Sequence, residues 1–319
     1  MRIGLIDVDG HNFPNLAQMR LSTYHKRLGD LVERWKPEEH YDLVYMSKVF
    51  SDTYTKDLPD PENADAVYRG GTGYAIKTIN GVEVFDADKH EDLPDDIESV
   101  PPDYSLYPDF KDAIAMTTRG CPRMCNFCIV GCKEGLESRH VADVSDFYRG
   151  QERIQILDPN ILACPDRVKL LEDYKKTGAI CLFSQGLDVR LMDDEVIKII
   201  DTMRMPKINH RHFAWDNPNE DLRGDFERVA KGLHWKQKGV TYVLTNFGST
   251  LEQDLYRIYT LRELGYDPFV MIYDKANAPT VTKKLARWVN NPFIFRKVER
   301  FEDYDVSMRG ERYKQSKER

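Results

Sequence analysis

Three cysteines lie close together in the string Arg-Gly-Cys-Pro-Arg-Met-Cys-Asn-Phe-Cys, which spans residues 119–128. Cys121, Cys125 and Cys128 form the pattern Cys-x3-Cys-x2-Cys. This spacing lets one tight loop direct three thiolates toward a common point. Thiolates are the usual protein ligands of iron–sulfur clusters, and a [4Fe–4S] cube normally takes four. The pattern therefore predicts a cube with one iron left open to a small chelating cofactor.

This loop resembles the cluster loop of the radical S-adenosylmethionine (SAM) enzymes. The resemblance implies that the amino and carboxylate groups of SAM chelate the fourth iron, and that an electron cleaves SAM to methionine and a 5′-deoxyadenosyl radical. It also implies a reductant such as flavodoxin or ferredoxin, with the protein positioning the cofactor and protecting the radical. Phe127 matches the aromatic position near the adenine. Arg119-Gly120-Cys121-Pro122 is typical of the branch with cobalamin-domain and methylthiotransferase-like members.

Other uses of the cysteines remain open. Cys132 extends the run to four thiolates, which could hold a structural zinc ion. Zinc sites more often consist of two Cys-x2-Cys pairs with a longer spacer between them. A disulfide framework is disfavoured, because the cysteines are clustered and no signal peptide is recognised. We expect Cys132, Cys164 and Cys181 to be ordinary buried thiols.

Alternating strands and helices are predicted from residue 111 onward. The predicted strands are 113–118, 154–157, 180–183, 212–215, 242–245 and 269–272, with a last edge strand at 293–295. The predicted helices are 165–177, 192–204, 220–236, 250–264 and 279–291. Regular βα alternation indicates a parallel sheet with right-handed crossovers. Six units fit the partial (β/α)6 TIM-like barrel of radical SAM enzymes, whose sites lie at the carboxyl ends of the strands, where the Cys loop falls.

The first 85 residues are predicted to be a small α/β domain. A strand at 3–8 precedes a helix with Leu16, Met19, Leu28, Leu31 and Trp35 on one face, and strands at 41–47 and 64–69 follow. Asn80-Gly81 indicates a tight hairpin.

The order of these elements resembles the Rossmann-like cobalamin-binding domain that precedes many radical SAM barrels. The signature Asp-x-His-x-x-Gly is only partly present from Asp9, because Pro14 replaces the glycine. Bound cobalamin is therefore disfavoured, and His11 and Asn12 are interpreted as loop residues.

The sequence suggests four regions. Residues 1–85 form the amino-terminal domain, 86–110 an acidic and proline-containing linker, 111–300 the barrel, and 301–319 a basic tail. Between residues 86 and 98 there are seven acidic residues and one lysine, which indicates a linker by composition.

Polar residues just past the predicted strands are the candidates for binding SAM under this resemblance. Asp158 and Asn160 would accept from the SAM ammonium, although Asp158 could instead cap a helix. Arg190 could pair with the SAM carboxylate, or internally with Asp188. Asp216 matches the ribose contact, and Gly248 lies in a glycine-containing adenine loop.

Two further patterns in these loops have simpler interpretations. Ser249 or Thr250 could cap the next helix. His210 and His212 are interpreted as structural.

Composition gives the remaining limits. The chain has 319 residues, a net charge of −7 and a pI near 5.7, so nucleic-acid binding is not indicated overall. No apolar run approaches the ~18 residues of a membrane span. We expect a cytoplasmic protein with no membrane partner.

The predicted function is that of a radical SAM enzyme acting on an unknown substrate. Cobalamin-dependent methyl transfer and methylthiotransferase-like chemistry are alternatives. The resemblance to methylthiotransferases implies a second cluster, held by cysteines of the amino-terminal domain. No cysteine precedes Cys121, so methylthiotransferase-like chemistry is disfavoured. An alternative of another class is a non-catalytic iron–sulfur or zinc protein that binds a partner.

Overall fold

Strands and helices alternate along much of the chain in the computed structural model, which describes residues 1–10, 13–79, 82–207, 211–236 and 238–309. Contacts between residues divide the chain into two units, Met1–Asp166 and Arg167–Arg319. Both contain helices and parallel strands, which confirms the predicted α/β class.

A four-stranded parallel sheet begins the first unit. Its strands are β1 (Arg2–Asp7), β2 (Leu31–Arg34), β3 (Leu43–Ser47) and β4 (Val67–Gly70), in the spatial order β2-β1-β3-β4. Helix α1 (Leu16–Arg27) connects β1 to β2 and begins at Asn15, whose side chain accepts from the Gln18 N–H. Ile3 and Leu5 of β1 pack against Leu21 of this helix.

The predicted continuation of this helix through Leu31 and Trp35 is wrong. The helix ends at Arg27, and Gly29 turns the chain with a φ of +85°. Leu31 then starts β2, which pairs in parallel with β1. The apolar residues at 28 and 31 suggested a continuous helical face, but Leu28 and Leu31 are both exposed, and only Val32 of this strand is buried in the core.

The segment after β4 contains an antiparallel pair and a short helix. Strands β5 (Ile76–Ile79) and β6 (Val82–Phe85) pair as the hairpin prediction required, while its turn residues Asn80 and Gly81 lie outside the described residues. Helix α2 (Asp95–Glu98) follows within the predicted linker. Its Ile97 is buried in the cluster that contains Ile3 and Leu5, so this stretch contributes to the core of the first unit.

The rest of the first unit surrounds the cysteines. Its elements are β7 (Ala113–Ala115), β8 (Thr118–Arg119), α3 (Val130–Glu134), β9 (Arg139–His140), α4 (Val144–Phe147) and β10 (Arg153–Ile156). Strands β7 and β10 are parallel neighbours, whereas β8 and β9 form a short antiparallel ladder. The predicted strand 113–118 is therefore split into two, and the cysteines follow the second.

The second unit alternates strands with helices, close to the predicted pattern. Its elements are α5 (Arg167–Lys176), β11 (Ile180–Phe183), α6 (Asp194–Thr202), β12 (His212–Ala214), α7 (Arg223–Gly232), β13 (Val240–Thr245), α8 (Leu251–Glu263), β14 (Asp267–Ile272), α9 (Thr280–Val289) and α10 (Pro292–Lys297). Strands β12, β13 and β14 form a parallel sheet in chain order.

The predicted edge strand at 293–295 is wrong, because these residues belong to α10. Asn291 caps that helix by accepting from the N–H groups of Phe293 and Ile294, and Pro292 occupies its first turn. Ile294 and Phe295 then pack beside Trp288 in the core of the unit. Within the described part of the chain, no helix is both long and apolar enough to cross a bilayer.

Candidate metal centre

The three cysteines of the motif lie on one loop whose two ends meet at a stem, here defined as the β8–β9 ladder. In that ladder Arg119 stands opposite Arg139. Next to it, the Cys121 N–H donates to the Gly135 carbonyl at 3.1 Å. The loop of residues 120–138, called the Cys loop below, thus leaves and returns to the same point, directly after β8, which follows the parallel strand β7 along the chain.

The thiols are accessible to different degrees. Cys121 and Cys125 are half-buried and Cys128 is exposed, and the Cys128 N–H donates to the Cys125 carbonyl at 2.9 Å. Asn160, predicted as a cofactor contact, places its Nδ2 atom 3.7 Å from the Cys121 Sγ atom. The ring of Phe127 is about two-fifths exposed, at 38%.

The chemistry of these donors fits an iron–sulfur cluster. Three cysteine thiols that form no disulfide lie on one loop, and an amide N–H points at the sulfur of the first; hydrogen bonds of this kind tune cluster potentials. Among the described residues, no three His, Cys, Asp or Glu side chains are arranged together as a metal site. Cys121, Cys125 and Cys128 would be the ligands, and Cys132 lies one helical turn beyond the last of them, in α3.

Asp158 anchors the backbone that leads into the Cys loop. Its buried carboxylate accepts from the Thr117 N–H at 3.2 Å, the Thr117 hydroxyl at 2.8 Å and the Thr118 N–H at 2.5 Å. Burial raises the pKa of Asp158 above its usual range, although these donors favour the charged form. Asp158 does not cap a helix, which was the alternative interpretation, because the short helical turn at Ile161–Ala163 has Asn160 at its cap position. Contact of Asp158 with SAM stays a prediction.

The remaining cysteines divide into two kinds. Cys164 and Cys181 are fully buried, as expected. Burial raises the pKa of both thiols, that of Cys181 to about 12, so both are unreactive at neutral pH. The expectation for Cys132 is wrong, because this thiol is exposed on the short helix α3.

Arg190, in the second unit, is held by two carboxylates. Its Nε atom lies 2.7 Å from Asp188 Oδ1, and its Nη1 atom lies 2.5 Å from Glu220 Oε2. The internal pair with Asp188, which the sequence left open, is therefore present. A contact of Arg190 with the SAM carboxylate stays a prediction.

Asp216 follows β12 and is half-buried beside β13. Its carboxylate accepts from the Leu244 N–H at 3.2 Å, and burial raises the pKa of this group. The nearby guanidinium of Arg257, in α8, donates to the carbonyls of Trp215 and Leu244 at 2.8 and 2.9 Å. Arg257 thereby joins the carboxyl ends of two neighbouring strands. Its side chain is almost fully buried, at 1% exposed.

Gly248 lies in the loop between β13 and α8. It adopts a φ of +70°, which favours glycine, and open space surrounds the position of a Cβ atom. Thr250, one of the two predicted caps, begins α8 with a reciprocal hydrogen-bonded pair to Gln253. The ring of Phe247 lies 4.6 Å from that of Tyr273, which adds an aromatic surface to this loop.

Two residues that the sequence did not single out are central to these sites. Glu134 accepts from the Gly120 N–H at 3.2 Å across the Cys loop, and Arg257 joins two strand ends. The spacing of Asp254 and Arg257 indicates only a helical ion pair, because burial cannot be read from it. His11, Asn12 and His210 lie outside the described residues, as does the tail from residue 310.

Comparison with known proteins adds no assignment. No protein-family model matches the chain, and no curated protein is significantly similar to it.

Proposed function

We propose that this chain is a radical SAM enzyme in which Cys121, Cys125 and Cys128 hold a [4Fe–4S] cluster. The observation that carries the proposal is the placement of three cysteine thiols on one loop that the β8–β9 ladder closes, just after the parallel strand β7 in the chain. The proposal includes the partial (β/α)6 barrel and the Rossmann-like amino-terminal domain as the finer description of the fold. The alternation of strands and helices from β10 to α9 supports it.

The residues of the Cys loop have distinct tasks under this proposal. When bound, such a cluster supplies one electron for reductive cleavage of SAM. Asn160 directs an N–H at the Cys121 sulfur, which would stabilise added negative charge there. The partly exposed ring of Phe127 offers an apolar surface for the adenine. Asp158 holds Thr117 and Thr118, and thereby the start of the loop.

Anaerobic reconstitution with iron and sulfide, followed by dithionite and SAM, tests the proposal. We expect about four irons per chain and formation of 5′-deoxyadenosine, measured by mass spectrometry. Cys125→Ser should abolish both. Cys132→Ser is the matched control, because it removes a thiol that the proposal does not use, and it should retain both.

The opposite result would favour the other class of function. Cys132 is exposed one helical turn after Cys128, so it is available as a fourth thiolate. A colourless zinc protein that forms no 5′-deoxyadenosine, and that loses its metal in Cys132→Ser, would replace the enzyme proposal with a structural zinc site.

A further inference from the structure

Glu134, the last residue of α3, joins the end of the Cys loop to its beginning. Its Oε2 atom accepts from the Gly120 N–H at 3.2 Å, and its Oε1 atom lies 3.3 Å from Arg119 Nη1 and 3.7 Å from Lys133 Nζ. Its backbone carbonyl accepts from Arg139 Nη1 at 2.7 Å. One residue thus contacts both strands of the stem, and its side chain is only 7% exposed.

The same carboxylate belongs to a series of ion pairs that extends to helices α2 and α1 of the first unit. Arg119 also pairs with Glu98 at the end of α2, and Glu98 lies 2.5 Å from Arg20 Nη1 in α1. The Arg20 side chain is 4% exposed and that of Arg119 is 18% exposed. Such shielded, charge-assisted contacts are stronger and less screened than surface pairs.

We infer that Glu134 is the positioning residue of the Cys loop, which fixes Cys121 at the stem before any metal binds. Residue 120 immediately precedes the first thiol, and residue 135, whose carbonyl accepts from the Cys121 N–H, immediately follows Glu134. Loss of the carboxylate therefore removes the contact that holds Gly120 and one of the two ion pairs of Arg119, at the point where Cys121 is held. The role in cluster binding rests on the proposed function, whereas the role in loop closure does not.

Alkylation of the metal-free protein tests loop closure thiol by thiol. The rate of iodoacetamide modification at each cysteine is measured by mass spectrometry for the unsubstituted chain, Glu134→Gln and Glu137→Gln. Glu137 is the matched control, because it lies in the same loop and its side chain is exposed. We expect Glu134→Gln to accelerate modification of half-buried Cys121 about tenfold, because the neutral amide loses the ion pair with Arg119 and accepts more weakly from the Gly120 N–H, while Glu137→Gln changes it little.

Buried Cys164 separates loop opening from unfolding of the unit. In Glu134→Gln it should react at the unchanged slow rate. Equal acceleration of Cys121 and Cys164 would overturn the inference, since it would show general destabilisation. An unchanged Cys121 rate, or the same increase in Glu137→Gln, would overturn it as well.

Iron uptake then provides the second readout. We expect Glu134→Gln to bind less iron per chain than Glu137→Gln under the same reconstitution, and its cluster absorbance to decay faster. Equal uptake and equal decay would exclude a role in cluster positioning. If the unsubstituted chain itself takes up no iron, the proposed function fails, and the alkylation rates still decide whether Glu134 closes the loop.

Discussion

At the scale of single residues, the Cys loop depends on a glycine as well as on its thiols. Gly120 has a φ of +85°, and a Cβ atom there would lie 2.1 Å from the Glu137 carbonyl oxygen. No side chain fits at that distance, so the two ends of the loop approach each other only because residue 120 is glycine.

We therefore expect Gly120→Ala to open the stem. The strained φ and the steric overlap together should lower the free energy of unfolding by roughly 2–4 kcal/mol. Iron uptake should also decrease, because the two ends of the Cys loop are no longer held together. Gly150→Ala is the control, because Gly150 has a similar φ of +91° but open space around it. It should cost about 1 kcal/mol and leave iron uptake intact. Thermal unfolding and iron content measure both; equal losses in the two variants would contradict the steric argument.

Residue patterns revealed only those site features that are local in sequence. The three thiols are close in sequence, and the alternative pairing of Arg190 with Asp188 spans two residues, so both could be read directly. The contact of Asn160 with Cys121 was not predicted, because it joins residues 39 apart in sequence; Asn160 was predicted only as a contact of the cofactor. Glu134 could not be found this way, because its partner Gly120 is brought near by the fold of the loop.

At the scale of elements, periodicity succeeded where burial followed the pattern. Helices α5 to α9 and strands β11 to β14 lie where alternating patterns predicted them, because each helix buries one face. Periodicity gave the wrong element where single residues determined how a helix begins or ends. Gly29 stopped α1 before the apolar Leu31, and the Asn291 cap with Pro292 turned an apolar triplet into helix α10. The domain boundaries at 85, 110 and 300 stay predictions.

Asp103 joins the predicted linker to α1, and its titration should control that attachment. Its carboxylate accepts from Ser22 Oγ at 2.7 Å and Lys26 Nζ at 2.6 Å. Burial alone would raise the pKa of Asp103, but these donors lower it from 3.8 to about 2. Because the folded pKa is the lower one, its stabilisation is complete above about pH 4 and is lost as the pH falls toward 2.

We expect Asp103→Asn to lower the free energy of unfolding by about 2 kcal/mol at pH 7. The difference from the unsubstituted chain should shrink as the pH falls from 4 to 2. Urea unfolding across this range measures it. Asp109→Asn, an exposed neighbour, should change stability little at any pH. A pH-independent deficit in Asp103→Asn would assign the effect to packing instead.

Arg257 should be a large source of stability in the second unit. Its guanidinium donates to four carbonyls and to Asp254 Oδ1, at 2.6 Å for the last. Arg257→Met would leave a buried carboxylate and the carbonyls unpaired, which costs about 3–5 kcal/mol. Urea unfolding should show this loss.

An exposed ion pair between neighbouring helices provides the comparison for Arg257. Arg223 lies 2.8 Å from Glu263, and both side chains are exposed, so Arg223→Met should cost less than about 1 kcal/mol. In Arg257→Met, the further change Asp254→Leu should recover part of the lost stability, because no buried charge then remains unpaired. A cost for Arg257→Met as small as that for Arg223→Met would contradict the assigned role.

At the scale of the whole molecule, the predicted site residues divide between the two units. All three proposed cluster ligands, with Asp158 and Asn160, belong to Met1–Asp166, whereas Arg190, Asp216 and Gly248 belong to Arg167–Arg319. Iron binding is thus proposed for groups of the first unit alone. Substitution of the proposed SAM contacts Arg190, Asp216 or Gly248 should therefore affect SAM binding without affecting iron content.

Asp216→Asn tests this division directly. Asparagine has the same shape and keeps an oxygen that can accept from the Leu244 N–H, so fold and iron content should be unchanged. The proposed ribose contact would lose its charged acceptor, and the Kd for SAM should rise about tenfold, measured by anaerobic equilibrium dialysis. Asp194→Asn makes the same charge change at an exposed position and should leave the Kd unaltered. An unaltered Kd in Asp216→Asn would remove Asp216 from the SAM site, and a loss of iron would show that the two activities are not separable.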